Sequence, residues 1–198
     1  MKKFTKSIIC VFLCIVLLAS FAGCTSTKMT EENVIKTVEK AQTALQEFNT
    51  KDLAKYVDSS TLSIILKYAD GKEQFTKLGQ AMFENLTMDV KSVDLEKGTV
   101  TVVVKNKELS RPAKEFADNL NSQYNKFQLL MQLDNELFLD GNLSALTNSI
   151  AKASMREEGV EVELTVTQGK KNLVLGFDET AEDAVSGGAL TAIKKVFV

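Results

Sequence analysis

Apolar residues recur at two different spacings along this chain, and each spacing predicts a different kind of element. Between Val34 and Phe48 the apolar positions are separated by four and three residues in turn, which predicts an amphipathic helix. Thr30 precedes this stripe and is the expected N-cap of the helix. Residues 51–57 follow a break in the stripe and are predicted to form a short second helix.

Beyond a third helical stretch, which turns at Asp70-Gly71, the spacing of the apolar residues falls to two. Residues 88–104 are rich in β-branched side chains and contain the turn Glu96-Lys97-Gly98, so they are predicted to form a hairpin. Residues 160–167 alternate strictly between apolar and polar side chains, which is typical of a strand with one buried face. A turn then leads into a last strand, 172–178, and completes a second hairpin.

The residues between the two hairpins return to helical spacing. Ser110 is expected to cap a helix whose apolar stripe persists until Asp140-Gly141 ends it, and a shorter helix is expected to follow. The tail of the chain is also predicted to be helical, with a break at Gly187-Gly188.

Together these elements predict an α+β fold in one domain, residues 31–198. Its N-terminal helices pack on one face of a curved antiparallel sheet of about four strands, and residues 110–155 form a helical insertion between the two hairpins.

The first residues have the proportions of an export signal. A basic start is followed by an apolar run over residues 8–18 and then by small residues. Crossing a bilayer takes about 20 apolar helical residues, and this run only approaches that length.

The end of the run, Ala22-Gly23-Cys24, resembles the lipobox of bacterial prolipoproteins, with Phe21 where leucine is usual. The resemblance implies that residues 1–23 are a signal peptide and that Cys24 receives a diacylglycerol. Residues 24–30 would then be the lipid-bearing cysteine and a short tether. The domain would lie on the extracytoplasmic side of the cell membrane, with that membrane as its partner through the lipid.

Composition narrows the chemistry that such a domain can perform. The chain has no histidine, so it has no imidazole to activate a serine or to bind Zn²⁺, and we expect neither a metal nor a cofactor. Its net charge of −2 argues against a nucleic-acid partner. Apart from Cys24 the predicted mature chain has no cysteine, so its stability must come from the packing of its core.

The segment Glu47–Val57, with its Asn-Thr-Lys-Asp-Leu sequence between the first two helices, resembles the opening of nuclear transport factor two-like (cystatin-like) domains. Several small lipoproteins of Gram-positive bacteria with unknown functions look similar. The resemblance implies a cone-shaped cavity between helices and sheet. That fold hosts enzymes, binding modules and dimerisation domains alike, so it implies no particular activity.

Aromatic side chains on the helical stripes are the candidates for lining such a cavity, although stripes of this kind are more often core. We expect Tyr56, Phe83, Tyr124 and Phe177 to contribute to a ligand site, the two tyrosines because a buried hydroxyl needs a partner. The other aromatic candidates are Phe48, Phe75, Phe116 and Phe127.

Other motifs have simpler explanations. Ser149 and Lys152 match the Ser-x-x-Lys pattern of penicillin-binding enzymes, but no partner motif accompanies them. The acidic cluster at Asp178, Glu179, Glu182 and Asp183 lacks the spacing of a calcium loop and is expected to be a solvated first helical turn.

No catalytic residues can therefore be assigned, and we expect a non-catalytic domain that binds an apolar small molecule or an envelope protein. The alternatives are a carboxylate- or tyrosine-dependent enzyme acting in the cone, and a structural adaptor that forms a homodimer through the open face of the sheet.

Mass spectrometry of the native product tests the predicted processing at Cys24. We expect a chain that begins at this residue and carries acyl chains on its sulfur. An intact Met1 with an unmodified thiol at position 24 would contradict this prediction.

Overall fold

The computed structural model describes residues 26–69 and 71–197. The predicted signal and the predicted lipidation site, Cys24, lie outside the described residues.

Four helices precede the main strands and follow the predicted order. They are α1 (Glu31–Gln46), α2 (Thr50–Tyr56), α3 (Ser60–Ala69) and α4 (Glu73–Phe83). The hydroxyl of Thr30 accepts a hydrogen bond from the backbone N–H of Asn33 at 3.3 Å, which confirms the predicted cap of α1.

The sheet contains the four predicted strands and a short fifth strand. These are β1 (Val57–Asp58), β2 (Thr87–Asp94), β3 (Thr99–Lys105), β4 (Val160–Gln168) and β5 (Leu173–Gly176), in the order β1-β5-β4-β3-β2. All neighbours pair antiparallel except β1, which runs parallel to β5. The register of β2 shifts between Val90 and Ser92, an irregularity of the kind that bends a strand in a curved sheet.

The inner face of this sheet packs against α1 and forms the first core. Val102 and Leu164 on the sheet are fully buried, as are Val34 and Val38 on the helix. The alternation predicted for residues 160–167 is confirmed, because the apolar side chains of β4 are buried or half-buried while Glu161 and the other polar ones are exposed. The predicted α+β class is therefore correct.

The insertion forms three helices: α5 (Ser110–Gln123), α6 (Lys126–Gln132) and α7 (Glu136–Ala151). The predicted stop at Asp140-Gly141 is wrong, because α7 continues through it. A side chain at Gly141 would meet open space, so this glycine faces outward while Leu139, Leu143, Leu146 and Ile150 bury the opposite face. Burial outweighs the cost of about 1 kcal/mol for glycine in a helix.

The breaks in the insertion instead occur at two asparagines. The side chain of Asn125 caps α6 in a capping box with Gln128, and the side chain of Asn135 accepts a hydrogen bond from the N–H of Phe138. An asparagine cap satisfies backbone groups at the start of a new helix, so the long predicted helix divides at these points.

The two ends of the insertion are fastened together at its base. Lys107 pairs with Met155 in an isolated β-bridge, and the guanidinium of Arg156 donates to Glu108 at 2.7 Å. Ser110 begins α5 without capping it and donates its hydroxyl to Glu108 instead. Partial burial acts to raise the pKa of Glu108, but the hydrogen bonds from Arg156 and Ser110 outweigh it, so this pKa lies below its ordinary value.

The chain ends in α8 (Glu179–Val185) and α9 (Ala189–Phe197), separated at Gly187 and Gly188 as predicted. Both glycines have positive φ angles, 62° and 82°, which side chains rarely adopt. Helix α9 packs against α5, and with α7 they enclose a second core that contains Leu109, Leu146 and Ile150.

Thr27 and Met29, within the segment predicted to be a tether, contact the domain. The backbone N–H and the hydroxyl of Thr27 both donate to the carbonyl oxygen of Lys171 in the β4–β5 turn, each at 2.9 Å. Met29 packs against the first core. Within the described ranges, none of the helices combines the length and apolarity needed to span a bilayer.

Phe48, two residues after the end of α1, has a conformation that normally favours glycine. Its φ is 48°, and its N–H and that of Asn49 donate to the carbonyl oxygens of Leu45 and Ala44 in the pattern of a Schellman motif. A left-handed non-glycine residue costs about 1–2 kcal/mol. The buried ring of Phe48 lies close to Gly79 and stacks near Phe83, with 6.2 Å between ring centroids, and this packing offsets the strain.

Two substitutions at Phe48 separate the contribution of the ring to the free energy of unfolding from the cost of the backbone strain. Phe48→Ala should lower the free energy of unfolding by about 3 kcal/mol or more, because a buried ring is lost. Phe48→Gly loses the same ring but relieves the strain, so it should be about 1 kcal/mol more stable than the alanine variant. Urea denaturation measures both, and an alanine variant more stable than the glycine variant would contradict the assigned role of the strain.

Candidate functional site

A cavity of about 400 Å³ lies where the two cores meet. This volume falls within the range of about 300–1,000 Å³ found for small-molecule sites. The wall is almost entirely hydrocarbon and comes mainly from helices. Its aliphatic side chains include Leu62, Ile65, Leu78, Leu146, Ile150 and Ile193.

The cavity does not lie between helices and sheet, where the cone-shaped fold implied one. Among the described residues that line it, none belongs to a strand, and the contributions nearest to the sheet are Ser59 directly after β1 and Phe177 directly after β5. The space between α1 and the sheet, where a cavity was expected, is filled by side chains such as Val100, Leu173 and Leu175, which are fully buried. The insertion supplies one wall of the cavity through Ala113 and the buried face of α7.

Partly exposed lining residues on α3 and α9 mark the mouth of the cavity. Leu62 and Ile65 on α3 are half-buried, as are Leu190 and Ile193 on α9, whereas Leu146 and other residues of the opposite wall are buried. A ligand entering between α3 and α9 would therefore exchange water for hydrocarbon over most of its surface.

Glu182 on α8 is the one carboxylate among the described lining residues, and its side chain is buried. It accepts hydrogen bonds from the hydroxyls of Ser59 (2.5 Å) and Thr61 (2.6 Å) and from the backbone N–H of Thr61 (3.2 Å). Ser59 in turn accepts from the N–H of Leu62 in the first turn of α3. The carboxylate thus ties α8 to the start of α3, where negative charge is favourable.

The expectation that the acidic cluster is fully solvated is therefore wrong for Glu182. Asp178 behaves as expected for a helix start, because it accepts from the N–H of Ala181 and caps α8. Glu182 lies one turn further, on the inward face of this short helix, and its partners lie about 120 positions earlier in the chain.

The remaining polar groups of the wall already form hydrogen bonds or ion pairs within the protein. The hydroxyl of Ser186 donates to the carbonyl oxygen of Asp183 and accepts from the N–H of Leu190. Lys194 lies at the mouth, is exposed and pairs with Glu179 at 3.0 Å. Every buried side-chain nitrogen or oxygen in the described part of the chain has a hydrogen-bond partner, so the wall is satisfied without a ligand.

Two of the four predicted site residues line the cavity and two do not. Phe83 and Phe177 are buried in its wall. Tyr56 packs against the first core with the ammonium of Lys40 5.5 Å from its ring centroid, and Tyr124 contacts Phe138 edge-on at 5.4 Å between centroids. Neither tyrosine belongs to the cavity wall, so the expectation that they contribute to this site is wrong.

The sequence does not indicate which aliphatic side chains line the cavity. The spacing of Leu62 and Ile65 on α3, and that of Leu190 and Ile193 on α9, marks an apolar helical face. Spacing alone does not distinguish a face that closes on its neighbour from one that leaves a gap.

Other surfaces give weaker indications of function. Ser149 and Lys152 are both exposed near the end of α7, so they share no enclosed site. The outward face of the sheet is mainly polar and includes the ion pair between Lys91 and Glu161, although Val103 and Val174 also lie on it. Among the described residues, no group of three histidine, cysteine, aspartate or glutamate side chains is placed to hold a metal ion.

Helix α6 is unusual because it exposes large apolar side chains. Phe127, Leu130 and Met131 are each more than 60% exposed, and Leu137 just beyond the helix is 85% exposed. Such a patch is uncommon on an isolated domain.

Comparison with protein-family models, with curated proteins and with solved structures finds no match for this chain. The resemblances to prolipoproteins and to the nuclear transport factor two-like fold therefore stay predictions from the sequence.

Replacing the buried carboxylate tests its part in holding α3 against α8. Glu182→Gln should lower the free energy of unfolding by about 1–3 kcal/mol, because hydrogen bonds to a charged acceptor are replaced by weaker ones. Glu179→Gln, on the same helix but exposed, is the matched control and should change it by no more than about 0.5 kcal/mol. Equal effects in urea denaturation would show that the network around Glu182 is not a stabilising contact.

Proposed function

We propose that this protein is a membrane-anchored extracytoplasmic lipoprotein whose domain binds a small apolar molecule. The observation that supports binding most strongly is the cavity of about 400 Å³ between α3, α4, α7 and α9. An apolar space of this size favours an apolar ligand, because binding removes hydrocarbon surface on both sides from water.

The composition of the wall favours binding over catalysis. A chain without histidine would rely on paired carboxylates, a tyrosine or a lysine for general acid–base catalysis, and the one lysine among the described lining residues, Lys194, is exposed and paired with Glu179. Among the described lining residues there is one carboxylate, Glu182, and no tyrosine. Its hydrogen bonds to Ser59 and Thr61 hold it in place, as expected of a residue that shapes a site.

The proposed anchor is compatible with the contacts of Thr27. Three residue steps separate Thr27 from Cys24, a reach of about 10 Å at most. A lipid on Cys24 would therefore hold the β4–β5 turn, to which Thr27 is bonded, close to the bilayer surface.

The absence of tryptophan from the chain allows a direct test of ligand entry. A single tryptophan at Ile65→Trp, on the cavity wall, should be quenched by 8-bromo-1-octanol, because bromine quenches an indole that it contacts. The measurement uses a chain that begins at Ser26, titrated in buffer while the fluorescence is recorded.

Ile64→Trp is the matched control, since it makes the same substitution one position away. Ile64 is 57% exposed and is not part of the cavity wall. We expect saturable quenching at position 65 and only weak, linear quenching at position 64. Equal quenching at both positions, or none at either, would contradict the proposed function.

A further inference from the structure

Glu182 is the one acidic side chain among the described residues that line this otherwise hydrocarbon cavity. Burying a carboxylate costs free energy unless donors surround it, and here the donors are neutral groups of Ser59 and Thr61. None of the ion pairs formed by the described side chains includes Glu182. The negative charge therefore stays uncompensated by a cation within this network.

The carboxylate also retains capacity to accept a further hydrogen bond. Its Oε1 atom accepts from the Ser59 hydroxyl and the Thr61 N–H, whereas Oε2 accepts from the Thr61 hydroxyl. Each carboxylate oxygen can accept about two hydrogen bonds, so Oε2 has one position left. Glu182, Ser59 and Thr61 all contribute to the cavity wall, so a hydrogen-bond donor on a bound molecule would meet this network at the wall.

The positive charge of Lys194 at the mouth does not make the cavity favourable for an anionic ligand. Lys194 is exposed to water and is already paired with Glu179, and an exposed pair of this kind adds little to binding. A carboxylate brought into the cavity would face the like charge of Glu182 in surroundings of low polarity, where repulsion is strong.

We infer that the ligand of this cavity has an apolar body and a head group that donates a hydrogen bond to Glu182, an ammonium or a hydroxyl, and that ionised carboxylates are disfavoured. This inference rests on the proposed function, because it names the class of molecule that the same cavity takes. Ammonium is favoured over hydroxyl because a charged donor forms the stronger hydrogen bond to a carboxylate.

Three eight-carbon compounds that differ only in their head groups test the inference. The full-length chain with Ile65→Trp is placed in lipid nanodiscs, and octylamine, 1-octanol and octanoate compete with 8-bromo-1-octanol for the cavity. Empty nanodiscs are titrated alongside to correct for partitioning into lipid. We expect octylamine to bind most tightly and 1-octanol next, with octanoate weaker than octylamine by about tenfold or more.

Glu182→Gln in the same chain should reduce the preference for octylamine over octanoate to less than about threefold, since the charge is gone. Glu158→Gln, which removes an exposed carboxylate outside the cavity wall, should leave the preference unchanged. Octanoate binding as tightly as octylamine to the unsubstituted cavity would overturn the inference while leaving the proposed function standing, and so would a preference that survives Glu182→Gln. Failure of all three compounds and of the brominated probe would overturn the proposed function itself.

Discussion

A sheet with one covered face can bury only one layer of helices, and the rest of this structure follows from that limit. The inner face of the sheet is occupied by α1, whose Val34 and Val38 are fully buried against it. The apolar residues of the insertion cannot reach that face, so they pack with α9 into a second core. Helix α4 contributes to both, with Phe83 in the first core and Leu78 against the second. The cavity lies at this junction, where the helices of neither core fill the space between them.

The two cores are joined by polar contacts as well as by packing, which explains how the gap between them can persist. The buried side-chain amide of Asn106 donates to the carbonyl oxygens of Met82 on α4 (3.0 Å) and Val185 on α8 (2.7 Å). Glu182 ties α8 to α3 on another side of the cavity. Hydrogen bonds of this kind have fixed geometry and are costly to leave unmade when buried. They fix the positions of α3, α4 and α8 relative to one another around the cavity.

Local patterns predicted most of the elements, whereas the site depended on contacts between distant residues. The alternation of β4 and the stripe of α1 were readable because each element buries one face against a regular neighbour. The helix end predicted at Gly141 was wrong, because tertiary packing places this glycine on the outer face of α7, where the helix can continue. The burial of Glu182 could not be seen in a seven-residue helix, since it depends on Ser59 and Thr61 far earlier in the chain. A cavity forms where two apolar faces do not pack closely against each other. The spacing of apolar residues predicts each face, but it does not predict how closely the two faces pack.

The central claim is that an unfilled apolar space lies between the two cores, and xenon tests it without any assumption about the natural ligand. Xenon enters dry apolar cavities, and its arrival shifts the NMR signals of the methyl groups that it contacts. Under xenon pressure, the methyl groups of Leu62, Leu146 and Ile193 should shift progressively and saturate, whereas those of Val102 and Leu164 inside the sheet core should not. Unchanged signals from the cavity wall, or equal shifts in the sheet core, would contradict this account.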